Sequence, residues 1–154
     1  MLLAALLAAW AIWQPEAGDR ATGDAVFLQD EGDLEAALAK TDDARAADPL
    51  NPDPLLVRAS IETQADRETD ARETFEEAVL KFPGSPETWY QLAYFQLNTL
   101  DRPLKAAQTL QGALYLDPLS APARQLFLDA RARSREKLVE AAERQARRRE
   151  RSEP

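Results

Sequence analysis

The chain has no cysteine and no histidine. Their absence excludes disulfides, thiol nucleophiles, imidazole bases and zinc sites of the usual ligand set. Glycine is scarce, with five in 154 residues, and none forms the glycine-rich turn that a phosphate-binding loop needs. Cations are few over most of the length. Residues 1–123 hold 9 Lys/Arg against 21 Asp/Glu, a net −12, whereas residues 124–154 hold 10 against 6, a net +4. An acidic body repels phosphates, so nucleic acid is not the expected main partner. Acidic pairs such as Asp30-Glu31, Asp42-Asp43 and Glu76-Glu77 are neighbours along the chain, and on a helix such neighbours point different ways. The acids of "DRETDARETFEE" (66–77) have the spacing of a calcium hand, but Ala71 stands where its sharp turn needs glycine. No catalytic, metal or cofactor site is expected, and cofactors are read as none.

Alanine, by contrast, occurs 29 times, and with abundant Leu, Glu and Arg it makes a helical composition. Met1 to Trp13 contains no polar side chain, and Gln14-Pro15 ends that run. Thirteen helical residues reach about 20 Å, short of the roughly 30 Å hydrocarbon core. Trp10 and Trp13 stand where an interfacial aromatic belt would lie. The expectation is the outer end of a membrane helix. A signal peptide without its usual basic start, or an apolar helix packed on the following domain, are the alternatives.

The rest of the chain is organised by a period. "DPLNPD" (48–53), "FPGSPE" (82–87) and "DPLSAP" (117–122) recur at intervals of 34 and then 35. Ala25, Ala59 and Ala93 form a column; so do Ala37, Ala71 and Ala106; Ala44, Ala78 and Ala113; and Pro49, Pro83 and Pro118. One residue is inserted between Ala93 and Ala106. Several columns agreeing on one period mark an internal repeat. Each unit reads as two helices. Leu55, Leu56, Ala59 and Thr63 share a stripe on one, and Ala71, Phe75, Ala78 and Val79 on the next. Pro83 stops a helix, Gly84 bends the link, Ser85 is placed as an N-cap and Pro86 suits the first turn of the next helix. Small residues let two helices approach closely while a large one fills the hole a turn away.

Large Leu55 or Trp89, small Ala59 or Ala93, small Ala71 or Ala106, large Phe75 or Leu110, Ala78 or Ala113 and a closing proline resemble tetratricopeptide repeats. The third unit is the most typical. The first, with Ala21 and Thr41, is degenerate. The resemblance covers residues 18–118 and implies an all-α fold, an α-solenoid of about three helical hairpins with a C-terminal capping helix, preceded by a short hydrophobic helix. The expected organisation is that helix at 1–15, repeats at about 18–51, 52–85 and 86–119, a capping helix at 120–135, and a charged helical or disordered tail at 136–154. "RRRER" (147–151) is a candidate contact for anionic lipid or RNA, or simply a solvated end.

The resemblance also implies a concave groove lined by the first helix of each hairpin. By register its residues are Thr22, Val26 and Gln29; Leu56, Ser60 and Thr63; and Tyr90, Tyr94 and Asn98. The two tyrosines are the leading contacts for a protein or peptide partner, since an exposed tyrosine combines an apolar face with a hydroxyl. Their alternative role is packing on the capping helix. Where some members of the family clamp a terminal carboxylate with Lys, Asn and Arg, this chain has Thr22, Val26, Val57, Glu87 and Gln91, and no cation. The expected function is a non-catalytic interaction scaffold, tethered to a membrane through Met1–Trp13, with the repeats extracytoplasmic. Two alternatives are weighed: the chain is similar to the C-terminal part of a multi-pass membrane enzyme of the O-antigen ligase or polymerase type, or it is a soluble cytoplasmic adaptor.

Overall fold

A computed structural model describes the backbone of residues 2–152 and the side chains of residues 16–148. Its described residues form seven helices and no strand: α1 (Leu2–Glu31), α2 (Leu34–Ala47), α3 (Asp53–Gln64), α4 (Glu68–Lys81), α5 (Pro86–Asn98), α6 (Pro103–Leu116) and α7 (Ala121–Ser152). They divide into two compact units, Met1–Thr88 and Trp89–Pro154, whose boundary falls after the first turn of α5. In the first unit α1 packs on α2, α3 on α4, and α2 on α3, while α1 also touches α3. In the second, residues of α5, α6 and α7 share one core built on Leu97, Leu110 and alanines from all three helices, among them Ala123 and Ala130.

The alanine columns lie at the helix contacts. Ala25, Ala37, Ala44, Ala59, Ala71 and Ala78 in the first unit, and Ala93, Ala106 and Ala113 in the second, are all 0–1% exposed. A methyl is the largest group that lets two backbones come so close. Leu55, Phe75 and Leu110 are buried as well. Thr41, which occupies the Phe75 column, is also buried and satisfies its hydroxyl on the Leu38 carbonyl at 2.7 Å. Trp89 fills its place differently: its ring lies over Gly112, where an added Cβ would come within 2.6 Å of ring carbon.

The turns show why the period is kept. Between hairpins, the N–H of Asp48, Phe82 and Asp117 each closes the preceding helix on Ala44, Ala78 and Ala113. Asp48 and Asp117 then accept from the amides of Leu50 and Leu119, an Asx-turn around the proline. Within hairpins the chain turns through a left-handed residue, Gly32 (φ 85°), Asp66 (φ 58°) or Asp101 (φ 50°). Beyond it, the Asp33 and Arg67 amides reach back five residues to Leu28 and Glu62, whereas Arg102 reaches back six, to Gln96. The extra residue of the third hairpin therefore sits in the α5–α6 turn.

Two expectations about the N-terminus change. α1 runs unbroken through Gln14-Pro15. Pro15 stands one repeat before Pro49, but two positions past it is Ala17, where the three turn prolines have Asn51, Ser85 and Ser120. Without a side chain able to hold the turn, the proline is carried inside the helix. Glu16, Asp19, Arg20 and Asp24 thus follow the apolar run on the same helix, and no helix among the described residues is long and apolar enough to cross a membrane. That overturns the expected membrane-associated, extracytoplasmic placement. The side chains of Met1–Trp13, to which the membrane contact was assigned, lie outside those described.

Two buried polar pairs repeat as well. Glu62 on α3, 4% exposed, accepts from Thr74 on α4 at 2.7 Å and from Arg58 at 2.9 Å. Gln96 on α5, 1% exposed, accepts from Thr109 on α6 at 2.8 Å, and its amide nitrogen has no partner.

Equilibrium unfolding should register two of these features. Asp66→Gly, which removes a side chain from a left-handed backbone, is expected to stabilise the chain by about 1 kcal/mol. Gly112→Ala improves helix propensity by about 1 kcal/mol, yet forces the Trp89 ring aside at a cost of about 1–3 kcal/mol. A melting temperature at or below that of the unmutated chain is expected; a clear rise would show the ring to be loosely held.

Candidate functional site

The candidate groove residues are set by the first helices of the hairpins. In the first unit, α1 and α3 bring Gln29 onto its neighbours: its amide donates to Ser60 Oγ and Gln64 Oε1, both at 3.0 Å. Gln64, the last residue of α3, was not anticipated. Thr22 and Thr63 spend their hydroxyls on carbonyls one turn back, Gly18 at 2.9 Å and Ala59 at 2.7 Å, so each offers mainly a methyl. Val26 is 40% exposed, and Leu56 is half-buried. None of these side chains is charged.

The second unit separates the two tyrosines. Tyr90 packs against the core and borders a cleft of about 500 Å³ whose far side is formed by Pro122, Gln125, Leu128, Asp129 and Ala132 of α7. Tyr94 is 49% exposed, its ring centroid 6.4 Å from that of Tyr90. Asn98 is exposed and accepts from Arg133 of α7 at 3.4 Å. α7 thus contributes to this surface beyond covering the core. The signal was present in the spacing. Gln125, Asp129 and Ala132 stand to Pro118 as Leu56, Ser60 and Thr63 stand to Pro49.

Charge gathers elsewhere in the first unit. A smaller cleft of about 240 Å³ is bordered by Asp42, Arg45, Asp48, Asn51 and Lys81. Arg45 and Lys81 both reach Glu77, at 3.1 and 2.6 Å, and Arg58 joins Asp42 at 2.8 Å. The hydrogen bond from Lys81 is the main reason the Glu77 carboxyl sits below its ordinary 4.5; partial burial opposes it, and the charges of Arg45, Lys81 and Arg58 add to it. These contacts join α2 to α3 and α4, a structural role. Among the described residues no group of His, Cys, Asp or Glu is arranged to hold a metal ion.

A sequence profile of the tetratricopeptide repeat family matches residues 52–95. The first tetratricopeptide repeat domain of human RPAP3 superposes with a TM-score of 0.68 at 17% identity, over 81% of this chain and 98% of that one. The first repeat domain of Spaghetti (RPAP3), bound to the HSP90 peptide SRMEEVD, gives 0.63 at 16% identity, over 77% and 93%. PilW, a widely conserved type IV pilus biogenesis factor, gives 0.67 at 26% identity, over 77% of this chain but 55% of its own. No curated protein sequence matches the chain. The fold is that of tetratricopeptide repeat domains, and residues 52–95 carry the family's sequence pattern. The resemblance to an O-antigen ligase gains no support from these relatives.

The ionic cluster predicts an acid dependence. With the folded Glu77 pKa below 4.5, its contribution is complete above the unfolded value and is lost as pH falls through the folded one. Urea midpoints of the unmutated chain and Glu77→Gln should differ at pH 7 and converge between about pH 5 and 3. A gap that stays constant over that range would show that ionisation of Glu77 does not support the fold.

Proposed function

We propose that the chain is a non-catalytic protein–protein interaction module, an adaptor or scaffold of three tetratricopeptide repeats (about 18–51, 52–85 and 86–119) closed by α7. Its partner is a protein or peptide segment received on the first-helix faces. The observation that carries this is Tyr94: a large aromatic half open to solvent, beside Tyr90, on a face that folding leaves available. A rigid aromatic of this kind is a typical anchor of an interface. Val26 offers a second, smaller apolar contact in the first unit. The RPAP3 relative takes the HSP90 peptide SRMEEVD, which supports peptide binding as a use of the fold. The chemistry here differs from a carboxylate clamp, since Thr22, Val26, Val57, Glu87 and Gln91 supply no cation. The expected ligand is therefore a segment recognised through apolar and neutral polar side chains.

Tyr94 separates binding from folding better than Tyr90, whose ring also serves the core. Affinity capture with the full chain, Tyr94→Ala and Tyr115→Ala is the test. Tyr115 is 85% exposed on α6 and serves as control. Tyr94→Ala should weaken retention of the captured partner about tenfold or more, with an unchanged melting temperature, and Tyr115→Ala should not. Equal retention by both variants would place the interface off this face.

A further inference from the structure

Two column positions that are buried in α3 and α5 are each bare on one outer helix, one on α1 and the other on α7. Ile61 and Phe95, one repeat apart, are 0% and 2% exposed, yet Phe27, one repeat before Ile61, is 61% exposed on α1. Ala59 and Ala93, ten positions past their prolines, are fully buried. Leu128, ten positions past Pro118, is 61% exposed on α7. α7 does not turn back to cover it: Glu136, one repeat past the turn residue Asp101, lies inside the helix, and no left-handed residue interrupts α7 among the described residues.

The surroundings of these two apolar positions are opposite in charge. Around Phe27, at helical spacing, stand Asp24, Asp30 and Glu31, all exposed, while the nearby Arg20 is already paired with Glu16 at 3.0 Å. Around Leu128 stand Arg124, Arg131 and Arg135, all exposed, with Leu138 (67% exposed) further along the helix. Arg131 lies over the Phe127 ring, 5.7 Å from its centroid. Three acids of α7 are already taken up on their own helix, Asp129 by Arg133, Glu140 by Arg144 and Glu143 by Arg147.

We infer that these faces dock on each other between two copies of the chain, α1 of one copy against α7 of another. Phe27 packs beside Leu128, and Asp24, Asp30 and Glu31 face Arg124, Arg131 and Arg135. The contact joins unlike patches, so it propagates unless geometry closes it. It uses neither Tyr94 nor Val26, although Leu128 also lines the cleft that Tyr90 borders. Tyr94→Ala should lower partner capture alone and the arginine reversals below self-association alone, so the two readings fail separately.

Sedimentation equilibrium of the full chain is the test. The weight-average mass should exceed the monomer's at about 100 µM and low salt, and return to it at about 0.5 M salt, where exposed charges are screened. Arg124→Glu/Arg135→Glu and Asp24→Arg/Asp30→Arg should each weaken self-association about tenfold or more, with unchanged melting temperatures because all four residues are exposed. Mixed one to one, the two variants should recover association, since each keeps one intact face. Phe27→Ser, which leaves every charge in place, should weaken association at low salt. A chain that stays monomeric at about 100 µM and low salt overturns the inference. So does self-association indifferent to both charge reversals, or α7 arginines that engage only anionic phospholipid vesicles.

Discussion

The fold depends on backbone approach at nine alanines. Each is 0–1% exposed, and each lies where one helix meets another. The attraction there is not chiefly the methyl group's own burial, which is small. Closeness at the alanine lets Leu55, Phe75, Leu110 and Ile61 bury their larger surfaces between helices. A side chain larger than a methyl would hold the helices apart and thin every contact along them. Gly112 extends the rule. Where a tryptophan lies across the helix, even a methyl is too large, and α6 accepts the propensity cost of glycine.

Much of this was legible because it is periodic. The alanine columns predicted the helix contacts, the proline columns fall at the hairpin boundaries, and the stripe of α4 fell where expected. α3 buries Leu55 and Ala59 of its expected stripe, but leaves Leu56 and Thr63 half-buried and buries Ile61 and Glu62 instead. What escaped was chemistry that does not repeat as letters. Gly32, Asp66 and Asp101 share a backbone conformation but not a side chain. Glu62 and Gln96 read as surface residues until the hydroxyls of Thr74 and Thr109 are seen to reach them. Pro15 belongs to the proline column by spacing, yet α1 passes through it because the residues that shape the turn are missing.

The candidate surface was half visible. Register placed Gln29 and Ser60 on one face, and they are hydrogen-bonded to each other there. Register could not separate the tyrosines: Tyr90 leans on the core and Tyr94 stands half open, a difference set by α7 rather than by α5 itself. Treating α7 only as a cover hid Gln125 and Asp129 from view. The hydroxyls of Thr22 and Thr63 look available in a sequence and are spent on backbone in the structure.

The two buried polar pairs bear on how such a chain can be rearranged. Glu62 shares its carboxylate with Arg58, one turn earlier on α3. One repeat past Arg58 stands Leu92, 5% exposed, and there the acid has given way to neutral Gln96. Copying Glu62 alone into the third hairpin would strand a carboxylate with no cation one turn back, and moving Gln96 alone into the second would leave the Arg58 guanidinium with exposed Asp42 but without its buried carboxylate. Hairpins built to one plan are consequently not interchangeable modules: residue 58 with residue 62, and residue 92 with residue 96, must travel together whenever a repeat is duplicated or grafted.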